Sequence, residues 1–197
     1  MPSRHRTAPA PDGLSWWFKE ALAAEGPTPP VPAPTGVTST DVLVVGGGFT
    51  GLWTALLLRE KAPGLHVTVI EAGLCGSGAS GKNGGKVHGY WGSLGTMAAS
   101  FGADAALEIA RLGTRAQDRI RDFATAPGRD VWWREAGNLR AITTPIQQAK
   151  AEAIVATATR LGVPDTARAL SADELGGRVA SPVFLSGIHF PEGANVQ

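Results

Sequence analysis

Apolar residues along the chain fall into short runs bounded by glycine and proline, and the spacing within each run predicts an element. Val42-Leu43-Val44-Val45 is a wholly apolar, β-branched run, the pattern of a strand covered on both faces in a parallel sheet. It leads into Gly46-Gly47-Gly48. Leu52, Trp53, Ala55, Leu56, Leu57 and Leu58 then lead to Arg59-Glu60-Lys61 and predict a helix about three turns long, stopped by Pro63-Gly64. His66-Val67-Thr68-Val69-Ile70-Glu71 predicts a second buried strand. The order strand–helix–strand with short connections makes these two strands parallel neighbours through a right-handed crossover.

Upstream, Ser15-Trp16-Trp17-Phe18-Lys19-Glu20-Ala21-Leu22 predicts one short helix after a disordered tail over residues 1–15. Gly26 to Gly36 is a Pro-rich connector of extended geometry. Two tryptophans and a phenylalanine are costly to leave in water, so these rings are expected to dock back on the body. Downstream, a second glycine-rich stretch runs from Gly73 to Gly95. Ala106, Ile109, Ala110, Ile120 and Phe123 mark a helix over about 103–123, and Val131–Glu135 and Leu139–Thr143 read as a hairpin around Ala136-Gly137-Asn138. A helix is predicted from Pro145 to Leu161, ended by Gly162, and Ser171-Ala-Asp-Glu174 fits a capping box. The domain reading is a tail and linker over 1–38, a nucleotide-binding part with its following helix over 39–128, and a partial second domain over 129–197.

Composition narrows the classes. The chain has 197 residues, is 43% hydrophobic and carries a formal charge of +1, so neither sign of charge points to a nucleic-acid or membrane-surface partner. Cys75 is the only cysteine, which excludes an internal disulfide, and no apolar run approaches membrane-spanning length. The N-terminus lacks the pattern of a secretory signal. A cytoplasmic protein is the expectation.

Chemistry concentrates at Gly46-x-Gly48-x-x-Gly51, between the first strand and its helix. Gly46 permits the tight turn out of the strand. Gly48, without a Cβ, allows a diphosphate to approach the backbone, and Gly51 lets the helix pack hard on the sheet. The helix N-terminus adds unpaired N–H groups and a partial positive charge. Glu71 lies twenty residues beyond Gly51, at the end of the second strand, where a carboxylate accepts hydrogen bonds from ribose hydroxyls and disfavours a 2′-phosphate. The glycine pattern alone is weak evidence; with strand, helix and acid in place it reads as dinucleotide binding.

Glu71 runs directly into Ala72-Gly73-Leu74-Cys75-Gly76-Ser77-Gly78-Ala79-Ser80-Gly81-Lys82-Asn83-Gly84-Gly85. The two glycine motifs together resemble the D-amino-acid-oxidase-like (DAO) family of FAD-dependent oxidoreductases, within it the bacterial gamma-glutamylputrescine oxidoreductase-like branch, which usually has Arg where this chain has Lys82. The resemblance runs from about Ser15 to the end. It implies an α/β fold, in which a Rossmann-like FAD-binding βαβ unit precedes the beginning of an α+β substrate domain. It also implies that Gly46, Gly48, Phe49, Thr50 and Gly51 wrap the FAD diphosphate, that Glu71 holds the adenosine ribose with Ala72 beside the adenine, and that Ala79, Ser80, Lys82, Asn83, Gly84 and Gly85 line the ribityl and isoalloxazine end. The implied reaction oxidises a C–N bond of a small-molecule amine or amino acid by hydride transfer to flavin. The imine is then hydrolysed and the flavin reoxidised by oxygen.

Relatives in this family are longer, so the chain reads as an N-terminal portion: a gene fragment, a truncated chain or one part of a split system. The remainder of the enzyme or a partner chain is then needed to complete the site, and FAD is expected to bind weakly or not at all to the isolated chain. Two other readings stay open, a non-catalytic remnant that keeps the motif and an NAD-dependent dehydrogenase, the latter opposed by the Ser80–Gly85 loop. No catalytic base and no metal ligand is singled out. His88, Tyr90, Trp91 and His189 read as packing or surface residues, Cys75 as a small buried hydrophobe, and Arg111, Arg115, Arg119 and Arg121 with Glu108, Asp118 and Asp122 as a solvated helix face. Of Trp132 and Trp133, which cannot share one side of a strand, one is expected in the core.

Overall fold

The structure, a computed structural model, describes residues 13–26, 31, 33 and 35–196. Most of the expected tail and most of the Pro-rich connector lie outside the described residues. By packing, the chain divides into two units between Gly84 and Gly85.

The first unit holds α1 (Trp16–Glu25), β1 (Val42–Val45), α2 (Phe49–Lys61) and β2 (Val67–Ile70). β1 and β2 pair in parallel from Val42↔Val67 to Val45↔Ile70, with α2 as the crossover, as the glycine and apolar spacing predicts. The strands are not covered on both faces. In each, alternate residues are exposed, and Leu43 and Val45 are 53% and 76% accessible. α2 covers one face of a two-stranded sheet and the described residues leave the other open. The expected docking of the aromatic triplet divides in the same way: Phe18 is half-buried, while Trp16 and Trp17 stay exposed because consecutive helical positions point in different directions.

The second unit holds β3 (Lys86–Val87), α3 (Leu94–Phe101), α4 (Ala103–Ala124), β4 (Arg134–Glu135), β5 (Asn138–Ile142), α5 (Pro145–Arg160), β6 (Arg168–Leu170), α6 (Ala172–Gly176), β7 (Ser186–Phe190) and β8 (Ala194–Asn195). Two antiparallel three-stranded sheets result, β5-β7-β6 and β3-β8-β4. The predicted hairpin does not form. Gly137 does turn the chain, with φ at +74°. Its amide is bound to the Gly193 carbonyl, however, so β4 pairs with β8 and β5 with β7. Local turn chemistry was read correctly and partner choice was not, because the competing strands lie far along the chain.

The buried core is here. Ile142, Ala151, Ala158, Ala167, Ile188 and Phe190 form one cluster, and Leu94, Ala106 and Ala110 a second, with Trp91 packed against both. α4, assigned from sequence to the nucleotide-binding part, packs within this unit. It buries Ala106, Ala110, Gly113, Gln117 and Ala124, a stripe at three-, four- and seven-residue intervals. Its other face is solvated, with Arg115 bonded to Glu108 and Arg121 to Asp118 and Glu135, and this network pushes the Arg121 guanidinium pKa up. α5 starts on a capping box between Thr144 and Gln147, and α6 on one between Ser171 and Glu174. Of the adjacent tryptophans, Trp133 is half-buried and Trp132 is exposed, at a positive φ of 49°. No helix among the described residues is long and apolar enough to cross a membrane.

Candidate functional site

The first unit brings its motif residues together around one turn. Gly46 leaves β1 at φ +104°, in the left-handed region, with its amide on the Ile70 carbonyl at 2.8 Å. A Cβ at Gly51 would collide with the Gly46 carbonyl and crowd Val44, so only glycine lets α2 sit this close to β1. α2 then begins at Phe49, and the N–H groups of its first turn have no carbonyl partners within the helix. One of them is engaged: the Phe49 amide donates to Ser80 Oγ at 2.8 Å. A Cβ on Gly48 would meet only that hydroxyl, at 2.9 Å. The space over the Gly48 backbone is thus bounded by a movable side chain and not by backbone.

Glu71 turns back toward the glycine turn. Its carboxylate accepts from the Gly47 amide at 2.7 Å and the Gly73 amide at 3.0 Å. These bonds, Gly47's first, hold its pKa below the usual carboxylate value. The acid is exposed, so the anion is both fixed in place and open to solvent. Ala72 beside it is exposed as well.

The second glycine stretch packs on the first. The Gly76 amide donates to the Gly47 carbonyl at 2.9 Å, and a Cβ on Gly47 would strike Cys75 Sγ. Cys75 is thus exposed beside the turn, where a buried position was expected. Glycine at both 47 and 76 lets two loops touch backbone to backbone and leaves the thiol at their rim. Ala79–Gly81 makes one turn of 3₁₀ helix, and Asn83 Nδ2 donates back to the Ser80 carbonyl at 2.7 Å. Lys82 and Gly84 are exposed. Gly85, at φ +64°, belongs to the second unit, where its carbonyl accepts from the Val196 amide.

The glycine turn, the start of α2, the Glu71 carboxylate and the second glycine stretch thus meet at one place in the first unit. The sequence profile of FAD-dependent oxidoreductases, DAO, matches residues 41–197. The chain belongs to the DAO family of FAD-dependent oxidoreductases. It is 42% identical over 83 residues to gamma-glutamylputrescine oxidoreductase of Escherichia coli K12, a match that covers 42% of this chain and 19% of that protein. L-amino acid deaminase from Proteus myxofaciens shares its fold at a TM-score of 0.62 and 22% identity, over 84% of this chain and 35% of that one. L-alpha-glycerophosphate oxidase from Mycoplasma pneumoniae, a structure with FAD bound, does so at 0.59 and 16%, over 81% and 39%. The chain thus spans less than half the length of the relatives it matches.

Relative to what the DAO resemblance implied, the structure adds residues that spacing did not single out. Gly47 and Gly73 hold Glu71, and Ser15 and Phe18 reach the second glycine stretch from α1. The middle glycine of Gly46-Gly47-Gly48, which the Gly46-x-Gly48 spacing leaves open to any residue, was the available signal for Gly47; nothing local announces Ser15.

In the second unit, His88, Trp91, Ser93, Asn138, Arg140, Phe190 and Glu192 line a small cleft. Glu192 accepts from Trp91 Nε1 at 2.9 Å and from Thr114 and Gln117, so it serves to pin Trp91 and α4. Tyr90 and His88 are exposed, and His189 sits in β7 with its Nε2 buried against Gly137. These positions agree with packing and surface roles. No group of three or more His, Cys, Asp or Glu among the described residues is arranged to hold a metal.

Proposed function

We propose that the first unit is the FAD-binding part of an oxidoreductase acting on the C–N bond of an amine or amino acid. The observation that carries the reading is the pair of exposed polar features at one turn: the first-turn amides of α2 beside Gly48, Phe49's held by the Ser80 hydroxyl, and the Glu71 carboxylate fixed on the Gly47 amide. The relatives' names point to amine and amino-acid substrates.

In this reading Gly46, Gly48, Phe49, Thr50 and Gly51 receive the diphosphate. Ser80 Oγ either yields the Phe49 amide to a phosphate oxygen or turns to donate to one. Glu71, as an anion already held by two backbone amides, accepts from ribose hydroxyls and repels a 2′-phosphate, with Ala72 beside the base. Ala79, Ser80, Lys82, Asn83 and Gly84 present the second loop to the rest of the cofactor, and Lys82 sets a positive charge there. FAD, when bound, would supply the two-electron acceptor for oxidation of the substrate C–N bond. The chain's own contribution is placement and electrostatics. Completion of the substrate site by further polypeptide, and reoxidation by oxygen, belong to the same proposal.

The test is titration of the purified chain with FAD, followed by flavin fluorescence. Saturable binding that is displaced by ADP and resisted by NADP supports the reading, and Glu71→Ala should weaken it about tenfold. Equal competition by NADP and ADP would sink the assignment of Glu71.

A further inference from the structure

α1 is not idle packing. Ser15 Oγ accepts from the Phe18 amide at 3.2 Å, which caps the helix, and the same hydroxyl donates to the Gly81 carbonyl, 66 residues on. One turn later the Phe18 ring lies against two glycines. A Cβ on Gly81 would stand 3.1 Å from it and one on Gly76 3.4 Å. Those glycines are the two ends of a single turn, because a Cβ on Gly81 would also strike the Gly76 carbonyl. Phe18 therefore closes the turn at its base, and Ser15 ties its last carbonyl. The residue before that carbonyl is Ser80, whose hydroxyl meets the Phe49 amide at the start of α2.

We propose that α1 is a clamp on the Gly76–Gly81 turn, with Ser15 and Phe18 as positioning residues that present Ser80 to the N-terminus of α2 and thereby set the affinity for FAD. The affinity half of this inference rests on the function proposed above; the ordering of the turn does not. A three-residue 3₁₀ turn built among five glycines and serines has little to fix it from within, and each such residue gains freedom when released. An external hydrogen bond and a ring packed at its base are what restrict it.

The experiment uses the full chain and four variants. Amide hydrogen exchange at Gly81 and Lys82 is measured without ligand, and FAD affinity by fluorescence. Ser15→Ala and Phe18→Ala should speed exchange at those amides and weaken FAD binding on the order of five- to tenfold. Ser15→Thr, which keeps both the cap and the donor, should restore wild-type values, and Trp16→Ala, on an exposed position, should change neither. Unchanged exchange in Ser15→Ala and Phe18→Ala overturns the clamp. Faster exchange with unchanged affinity overturns its role toward FAD. A wild-type chain that takes up no FAD refutes the affinity half but not the proposed function, whose site further polypeptide completes, while the exchange rates still decide whether α1 orders the turn.

Discussion

The two units solve the folding problem by different means. In the second, apolar side chains are removed from water: Ile188 is fully buried, and helices and strands enclose two contiguous clusters. In the first, Gly47 is the one buried residue among those described, and order comes from backbone: a parallel ladder, a glycine turn on which Gly51 leaves no room for a Cβ, and a carboxylate bonded to two amides. A unit made this way has few buried apolar side chains to hold it closed and is specific in shape.

This contrast can be broken by mutation. Ile188→Ala should cost about 2–5 kcal/mol, read as a fall in the urea midpoint of the second unit. A loss as small as a surface change would mean that the core is not where the contrast puts it. At Gly51→Ala the added methyl meets the Gly46 carbonyl and Val44; the first unit should lose about 1–3 kcal/mol, and FAD protection should vanish. Saturating FAD sharpens the comparison from the other side. At a hundredfold excess over its dissociation constant it should stabilise the first unit by about 2.7 kcal/mol and leave exchange in the second unit unchanged. Leu43→Ala, on the open face, should cost less than about 0.5 kcal/mol.

Glu71 gives the smallest and most local effect. Its folded pKa is lowered, so the stability it confers is present above the ordinary carboxylate value and is lost as pH falls through the folded one. The Gly47 and Gly73 amide chemical shifts should titrate together with a midpoint below 4.5, and Glu71→Gln should remove that titration. Separate midpoints for the two amides would show that one carboxylate does not hold both.

What could be read from sequence follows the same division. The β1–α2–β2 order, its parallel pairing and the place of Glu71 were legible because glycine spacing and strand length constrain neighbours along the chain. The capping boxes at Thr144, found only in the structure, and at Ser171, read in advance, are equally local. Contacts across long separations were not legible. The β4–β8 and β5–β7 pairings replaced a plausible hairpin, Ser15 reached Gly81, and Cys75 came to lie against Gly47. The alternating exposure of β1 and β2 was missed for a different reason: a continuous apolar run predicts cover on both faces, and composition cannot say whether the described chain supplies it.

Cys75 has a practical consequence. It is the protein's sole thiol, it is exposed, and its sulfur sits where a methyl on Gly47 would be. A maleimide dye attached there would load the molecule at one defined position, beside the glycine turn proposed above to receive the diphosphate. The same position makes the label bulky enough to act as a plug, so alkylation and FAD uptake should exclude each other, and the rate of labelling becomes a clock for how often that turn is free.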